Sequence, residues 1–381
     1  MHICVFPFFF SLASALSPNP ILFSYFSNFH LFSCTHLKSI PNNMEASQKH
    51  NLFLRLDLGL PLPQDDINLV RAAVDCTAEE LTIFAALENI DSVDRASGWS
   101  QMQRRVAELY MVAFGRALRI QSFTNIDIVL LDFCAYSVED MTPFKQYTTL
   151  VSAKDEAVVP CWWPAEMIQN LVVYPEQARS PAPSTNRAAN SSELRTSTAQ
   201  FTRLLLPWES YAHVAVGGTF DHLHIGHKIL LTATALAATK RVICGISVDA
   251  LLERKKYKEQ IEPYRVRELS VLLFLRKIRK DIIFELDPLY DLYGPTATDA
   301  SIGALVVSQE TLSGSSSLNE RRAERGMPPM QLLPIDLVAT PQQTTESADD
   351  DYSTSVFSEN TALKISSTAI RASLAEKQQR G

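Results

Sequence analysis

A short stretch in the second half of the chain, Val214 to Lys228, constrains the fold more than any other. It reads VAVGGTFDHLHIGHK and joins a β-branched run, two glycines, three histidines and the start of an apolar helix. The run ending at Val216 predicts a buried strand, and Gly217-Gly218 breaks it and lets backbone approach a ligand closely. A strand, a glycine turn and a helix N-terminus in this order predict an anion site, because the free N–H groups of the first helical turn point outward.

The histidines of this stretch are candidates for contact with a phosphate. His224 and His227 lie three residues apart, so a helix that begins there would place both on one face. Gly226 between them leaves room for a phosphate or a purine ring. A metal-binding pair or an ordinary polar turn would also explain this spacing. Metal is less favoured because no cysteine or acidic third ligand sits nearby at ligand spacing, and we predict no metal-ligating residues.

Composition and charge exclude several classes of protein. The chain has 381 residues, enough for two ordinary domains, and 46% of them are hydrophobic. The net charge of −7 argues against nucleic acid as the main partner. Six scattered cysteines without a Cys-x-x-Cys pair indicate free thiols in a reducing compartment. The apolar stretches at the N-terminus are too short for a membrane helix, so we expect a cytoplasmic protein without a membrane partner.

The composition divides the chain into four regions. Residues 1–43 carry no charged side chain before Lys38, and we interpret them as a non-native or targeting leader that is disordered. Residues 44–175 predict an N-terminal domain. Residues 176–202 are rich in Pro, Ser, Thr and Ala, which is typical of a flexible linker. Residues 203–381 form the fourth region, and we expect them to fold as one unit without the first half.

The N-terminal region carries helical and strand patterns but no catalytic motif. Ala72 to Leu87 and Trp99 to Arg119 have apolar side chains at helical spacing. Ile126 to Phe133 and Leu171 to Tyr174 predict buried strands. We therefore expect a separate N-terminal α/β domain, to which the sequence assigns no role.

The fourth region alternates strands and helices from Leu204 onward. This alternation predicts a Rossmann-like parallel sheet with helices on both faces. Ligands of such sheets bind at the carboxyl ends of the strands, at the switch point of the strand order. The Gly217-Gly218 turn follows the first strand of the region, where this rule places a site.

An acidic insertion interrupts the pattern at residues 341–360. It contains five acidic residues and no basic one, among many Ser and Thr, so we expect it to be disordered. Deleting residues 342–358 should leave any catalytic turnover within about tenfold of that of the intact protein. An acidic loop does not attract the anion that we expect to bind at the glycine turn. A larger loss of rate would show that the loop is a functional lid.

The full string from Gly217 to His227, GGTFDxxHxGH, resembles the signature of the HxGH nucleotidyltransferase superfamily. Within that superfamily, Lys228, the Pro-Tyr-x-x-Arg segment that ends at Arg267 and the sequence downstream are similar to eukaryotic, monofunctional phosphopantetheine adenylyltransferases of the fungal type. The similarity extends from about Leu204 to the C-terminus. It implies adenylyl transfer from ATP to 4′-phosphopantetheine in coenzyme A biosynthesis, with dephospho-coenzyme A and pyrophosphate as products. It also implies Mg²⁺, bridging the ATP phosphates and held mainly by substrate.

A second motif, ISSTAIR, ends at Arg371. Ser366, Ser367 and Thr368 are good N-cap residues, so a well-capped helix explains them without a ligand. Beside the histidine stretch we favour a second interpretation, which the resemblance supports. The hydroxyls and free N–H groups bind the β- and γ-phosphates of ATP, and Arg371 adds a bidentate charge.

The resemblance assigns further roles by position. His227 and His224 are the implied catalytic residues, donating to oxygens of the α-phosphate. The implied nucleotide-binding residues are Gly217, Gly218, Thr219, Phe220, Gly226, Ser366, Ser367, Thr368 and Arg371. The implied residues for the phosphate acceptor are Thr219, Lys255, Lys256, Lys258 and Arg321. Which of the three lysines serves stays open.

Two other functions remain open. A cytidylyltransferase acting on a phosphorylated small alcohol shares the first motif, although such enzymes usually carry Arg-Thr-x-Gly-Ile-Ser-Thr-Thr in place of Ile-Ser-Ser-Thr. A non-catalytic scaffold could retain the fold, and the intact Thr219, His224, His227 and Arg371 argue against it. No Gly-x-x-x-x-Gly-Lys-Ser/Thr P-loop occurs in the chain. We therefore expect a separate dephospho-coenzyme A kinase among its partners, with other enzymes of the pathway.

Overall fold

The computed structural model describes residues 47–160, 162–174, 208–335 and 366–380. They belong to one compact unit that contains two parallel five-stranded sheets with helices packed on them. The predicted α/β fold class is thereby confirmed for both halves. The predicted leader, linker and acidic insertion lie outside the described residues. Within the described ranges, no helix combines the length and apolar character that crossing a bilayer requires.

The described N-terminal half contains five strands and three α-helices. In chain order they are β1 (Ser47–Asp57), α1 (Gln64–Asp75), β2 (Thr77–Glu88), α2 (Arg95–Arg119), β3 (Asn125–Leu130), β4 (Thr149–Ser152), α3 (Ala165–Gln169) and β5 (Leu171–Tyr174). The strands pair in parallel in the order β3-β2-β1-β4-β5.

The helical spacing from Ala72 to Leu87 is a wrong prediction, because Thr77–Glu88 is strand β2. Its Ala, Glu and Leu residues favour a helix by propensity. The buried run from Leu81 to Ala85, however, packs on both faces of the sheet between β1 and β3. Burial on both faces is typical of a central parallel strand and overrides the propensity.

The described C-terminal half contains five strands and four α-helices. They are β6 (Tyr211–Gly218), α4 (Ile225–Ala237), β7 (Ala238–Ser247), α5 (Tyr264–Ile278), β8 (Ile283–Leu289), β9 (Ala304–Ser308), α6 (Gln309–Glu324), β10 (Gln331–Ile335) and α7 (Ser367–Arg380). The strand order is β10-β9-β6-β7-β8, all parallel. The order reverses beside β6, so the Gly217-Gly218 turn lies at the switch point, as the alternation predicts.

The two sheets share one topology. When the strands of each half are numbered from one to five, both sheets follow the order 3-2-1-4-5, with the first strand in the centre. In each half, a loop and a helix follow this first strand. The N-terminal half therefore has the same strand order as the C-terminal half but does not carry the HxGH motif.

The apolar core is continuous across the two halves. Trp208 contacts Trp99 and Phe133, with ring centroids 6.3 and 5.5 Å apart, and its indole N–H donates to the carbonyl oxygen of Leu236 at 3.4 Å. Helix α2 also packs against α4, and α5 packs against β3. Separating the halves would expose this surface to water. In place of the independent folding expected from the sequence, we now expect residues 203–381 to need the first half for full stability.

Candidate active site

Side chains pack closely against the two glycines that flank the turn after β6, Gly218 and Gly226. A Cβ on Gly218 would lie 3.2 Å from the ring of Phe220, and a Cβ on Gly226 would lie 3.1 Å from Cε1 of His224. Phe220 and His222 have φ values of 51° and 47°, so the loop reverses sharply between β6 and α4. Helix α4 begins directly after His224, its N-cap, and its first free N–H groups lie at the carboxyl edge of the sheet.

His224 and His227 stack on each other at the start of α4. Their ring centroids are 3.9 Å apart and their planes differ by 23°, the arrangement that their spacing predicts. His224 Nε2 lies 3.2 Å from Ser367 Oγ, and that hydroxyl donates to the carbonyl oxygen of Asp221 at 3.0 Å. The hydroxyl proton is thus in use, so His224 carries its proton on Nε2 and donates to Ser367.

Burial keeps both imidazole rings neutral. It lowers the pKa of His224 to about 4, against an opposing effect of Asp221. Burial, followed by the neighbouring His224, lowers the pKa of His227 well below its usual value. Nδ1 of each ring is buried and has no hydrogen-bond partner among the described residues. The N–H of neutral His224 is used by Ser367, whereas neutral His227 can donate one hydrogen bond to a phosphate oxygen without the cost of burying a cation.

The low pKa of His224 predicts a loss of stability in mild acid. An unfolded histidine has a pKa of about 6.5, so between pH 6.5 and the folded value of about 4 the unfolded state binds the extra proton. The free energy of unfolding should therefore fall as the pH drops, with His224 contributing about 2 kcal/mol between pH 7 and pH 5. Urea unfolding at these two pH values should show a smaller loss for His224→Gln than for the wild type. His50, whose pKa burial also lowers to about 4, is common to both proteins. An equal loss in the two proteins would contradict the assignment.

Asp221 ties the histidine turn to the last helix. Its carboxylate is fully buried and accepts from Arg371 Nη1 at 2.7 Å and from the Glu262 backbone N–H at 2.8 Å. Arg371 also donates to the carbonyl oxygen of Lys256 and to Thr368 Oγ1, both at 3.2 Å. The guanidinium is only 2% exposed, so here it is directed at protein groups. Its contact with a phosphate stays a prediction.

The start of α7 meets the start of α4. Ser366 caps α7, because its Oγ accepts from the Ala369 N–H at 3.2 Å and its carbonyl oxygen accepts from the Ile370 N–H at 3.1 Å. Ser367 then contacts His224, as described above. The capped-helix interpretation of Ser366 is therefore correct. It is compatible with phosphate binding, since two helix N-termini converge on one place.

Among the three candidate lysines, the electrostatics favour Lys255. All three side chains are exposed in the segment after β7. Partial desolvation, followed by repulsion from Arg371, lowers the pKa of Lys255. After burial and His224, the charge of Lys255 is also the next contribution that lowers the pKa of His227. Of the three lysines, Lys255 is therefore the one whose charge acts on His227.

Arg267 is a site residue that sequence reasoning left without a role. It is fully buried and donates to the carbonyl oxygens of Thr219 at 2.8 Å, Ser247 at 2.9 Å and Glu262 at 2.9 Å. It therefore joins the ends of β6 and β7, which frame the site. The Pro-Tyr-x-x-Arg segment was the available signal, and only the fold shows which carbonyl groups this arginine binds.

The sequence matches one family model and several known proteins. A family model described as cytidylyltransferase-like matches residues 215–373. An uncharacterized protein of Schizosaccharomyces pombe is 44% identical over 162 residues, which cover 42% of this chain and 48% of that protein. A phosphopantetheine adenylyltransferase of Saccharomyces cerevisiae is 47% identical over 124 residues, covering 32% of this chain and 41% of that protein. A phosphopantetheine adenylyltransferase of Methanopyrus kandleri is 37% identical over 134 residues, covering 35% of this chain and 84% of that protein.

The chain belongs to the phosphopantetheine adenylyltransferase family. The resemblance seen in the sequence is thereby confirmed at the level of the family. The chain spans 48% and 41% of the length of the two fungal relatives. The family-model match begins at residue 215, so it lies wholly within the C-terminal half.

The described contact of Arg321 is with Tyr293 and not with the histidine motif. Its guanidinium sits over the ring of Tyr293, 4.7 Å from the centroid, and the side chain is exposed. The next residue, Arg322, is fully buried and donates to the carbonyl oxygens of Thr296 at 2.6 Å and Asp299 at 3.0 Å. Arg322 is therefore structural, and the role of Arg321 in binding the acceptor stays a prediction.

One group near the family's motif has the residue types of a metal site. Asp221, His222 and Glu262 have ligand atoms within 4.8 Å of one another. Asp221 is already paired with Arg371, and Glu262 Oε2 accepts from the His222 N–H at 2.7 Å. These oxygens serve the protein itself.

Proposed function

We propose that this protein transfers the adenylyl group of ATP to 4′-phosphopantetheine, giving dephospho-coenzyme A and pyrophosphate. One observation carries the proposal: the N-termini of α4 and α7 converge at a glycine turn, where two neutral histidines stack. This place can hold a polyphosphate, since helix starts and uncharged donors stabilise anions there. Membership of the family supports ATP as the nucleotide and 4′-phosphopantetheine as the acceptor.

The reaction needs alignment and charge stabilisation rather than a general base. The nucleophile is a phosphate oxygen of the acceptor, which is already anionic at pH 7. It forms a bond to the α-phosphorus of ATP, and the bond from that phosphorus to the bridging oxygen breaks, releasing pyrophosphate. Preorganised donors aimed at the α-phosphate lower the barrier to such a step. Histidines that stay neutral at pH 7 suit this role.

Each donor then has a place in the proposal. His227 donates to an oxygen of the α-phosphate, and His224, fixed by Ser367, supports it by stacking. The Gly218 N–H and Thr219 hold phosphates of both substrates, and Lys255 binds the phosphate of the acceptor. The start of α7 binds the β- and γ-phosphates. Mg²⁺ bound to ATP would neutralise part of the charge on these phosphates.

Two features of the cell biology belong to the same proposal. We place the reaction in the cytoplasm, where scattered free thiols stay reduced. We also expect the product to pass to a separate dephospho-coenzyme A kinase.

A panel of substrates tests the proposal. The purified protein is incubated with ATP or CTP and with 4′-phosphopantetheine, phosphocholine or glycerol 3-phosphate, and pyrophosphate release is measured. We expect release only with ATP and 4′-phosphopantetheine. Release with CTP and a phosphorylated alcohol would favour a cytidylyltransferase, and no release from any pair would favour a scaffold.

A further inference from the structure

In the N-terminal half, a carboxylate of the protein lies in the first turn of the helix that follows the first strand. Asp66 is the third residue of α1, as His227 is the third residue of α4 in the equivalent place of the other half. The Asp66 carboxylate is 1% exposed and accepts from Lys154 Nζ at 2.9 Å. A carboxylate in the first turn of a helix takes the place that a bound anion would occupy. The negative charge of Asp66 would repel a phosphate at the start of α1. The N-terminal half contacts the C-terminal half at other places.

One such contact begins next to the catalytic histidine. Lys228 directly follows His227 in α4 and is only 5% exposed. Its Nζ donates to Asn125 Oδ1 at 2.5 Å, to the carbonyl oxygen of Ile126 at 2.8 Å and to Asp127 Oδ1 at 2.7 Å. All three acceptors belong to the start of β3 in the N-terminal half. The three ammonium N–H groups thus each have an acceptor, and the first turn of α4 is anchored to β3.

A second lysine binds the other oxygen of the same carboxylate. Lys277, near the end of α5, donates to Asp127 Oδ2 at 2.7 Å and to Glu80 Oε1 at 2.6 Å. The same helix carries Arg267, which joins the strand ends that frame the site. Asp127 therefore holds one lysine from each of two helices that build the site.

The charge state of Asp127 follows from these partners. Burial alone would raise the pKa of the Asp127 carboxyl, but the charges of Lys228 and Lys277 outweigh it and hold the pKa well below its usual value. Burial would likewise lower the pKa of Lys277, but Asp127 and Glu80 raise it. The carboxylate is therefore ionised at neutral pH, and its loss would leave buried ammonium groups without their counter-charge.

We propose that Asp127, a residue of the N-terminal half, is a positioning residue for the reaction of the C-terminal half, acting through Lys228 on the start of α4. The proposal rests on the function proposed above. The His227 N–H has to meet an oxygen of the α-phosphate, and a displacement of about 1 Å from a distant change can cost about 10²-fold in rate. An anchored lysine next to His227 fixes the translation and rotation of the first helical turn. The N-terminal copy of the fold thus serves as the support of the catalytic helix.

The test compares two full-length variants. Asp127→Asn keeps the size of the side chain and removes the negative charge that both lysines bind. We expect kcat to fall by about 10-fold to 100-fold, with KM for both substrates within about threefold, because the phosphate-binding groups remain. The matched control is Asp75→Asn, which breaks a pair inside the N-terminal half, where Arg116 Nη2 donates to Asp75 Oδ2 at 2.7 Å. Its kcat should equal that of the wild type.

Each outcome decides the proposal. Wild-type kcat in folded Asp127→Asn overturns it, and so does an equal loss in Asp75→Asn, which would show general destabilisation. If Asp127→Asn does not fold, Asp127→Glu decides in the same way, because it keeps the charge and displaces it by one methylene.

Failure of the proposed function would be visible separately. The wild type would then release no pyrophosphate from ATP and 4′-phosphopantetheine. Positioning is in that case measured by the imidazole nitrogen resonances of His227. A change in Asp127→Asn that is absent in Asp75→Asn supports the proposal, and identical spectra overturn it.

Discussion

Replacing His227 by alanine should lower kcat by about 10²-fold to 10³-fold, the range for removing one preorganised donor to a transition state. The ring is held by His224 on one face and approached by Phe220, so its position is set before substrate binds. Affinity for ATP should change much less, because the β- and γ-phosphates are expected to bind at the start of α7. The measurement is steady-state kinetics of the wild type and the variant, with a thermal melt of each.

Glutamine at the same position is the matched comparison. His227→Gln retains an N–H donor and should recover part of the rate. A histidine that only packs the turn predicts the opposite pattern, with lower stability and weaker ATP binding but a normal kcat in the folded protein. A folded His227→Ala enzyme with unchanged kcat would contradict the mechanism.

Replacing Asp221 by alanine should lower the free energy of unfolding by about 3–5 kcal/mol, because it leaves a buried charge without its partner. Arg371 is 2% exposed and Asp221 is fully buried, so water cannot easily replace the lost carboxylate. The change also frees the start of α7 from the histidine turn, so ATP binding should weaken. Urea unfolding and titration with ATP measure the two effects.

Two controls separate this pair from ordinary surface charge. Glu166→Ala removes an ion pair with Lys145 whose side chains are 54% and 41% exposed, and it should leave the free energy of unfolding nearly unchanged. The double variant Asp221→Leu with Arg371→Met removes both buried charges and should regain much of the stability lost in Asp221→Ala. A double variant no more stable than Asp221→Ala would show that the pair is not the source of the loss.

The sequence predicts the C-terminal half well because its signals are local. The glycine pair, the histidine spacing and the serine-rich helix start each determine their own backbone geometry. The convergence of Ser367 and His224 follows from the resemblance to a family, because no local pattern relates residues so far apart in the chain. The fold confirms that they meet, with 3.2 Å between Oγ and Nε2.

The features that the sequence does not predict depend on contacts between residues that lie far apart in the chain. Helical propensity misassigns the region of β2, since burial between two strands is decided by its neighbours in the sheet. The partner of Lys228 lies in another half of the chain, and the partner of Arg371 lies in the histidine turn. The shared strand order of the two sheets is also not predicted, because the N-terminal half carries no motif that would indicate it.

Following the phosphorus atoms of ATP tests adenylyl transfer most directly. The protein is incubated with 4′-phosphopantetheine and with ATP labelled at either the α- or the γ-phosphate, and the products are separated. Adenylyl transfer predicts that the α-label moves into dephospho-coenzyme A and the γ-label into pyrophosphate. An α-label that stays in free adenine nucleotide, or a γ-label that moves to the acceptor, would show that the protein does not transfer an adenylyl group to 4′-phosphopantetheine.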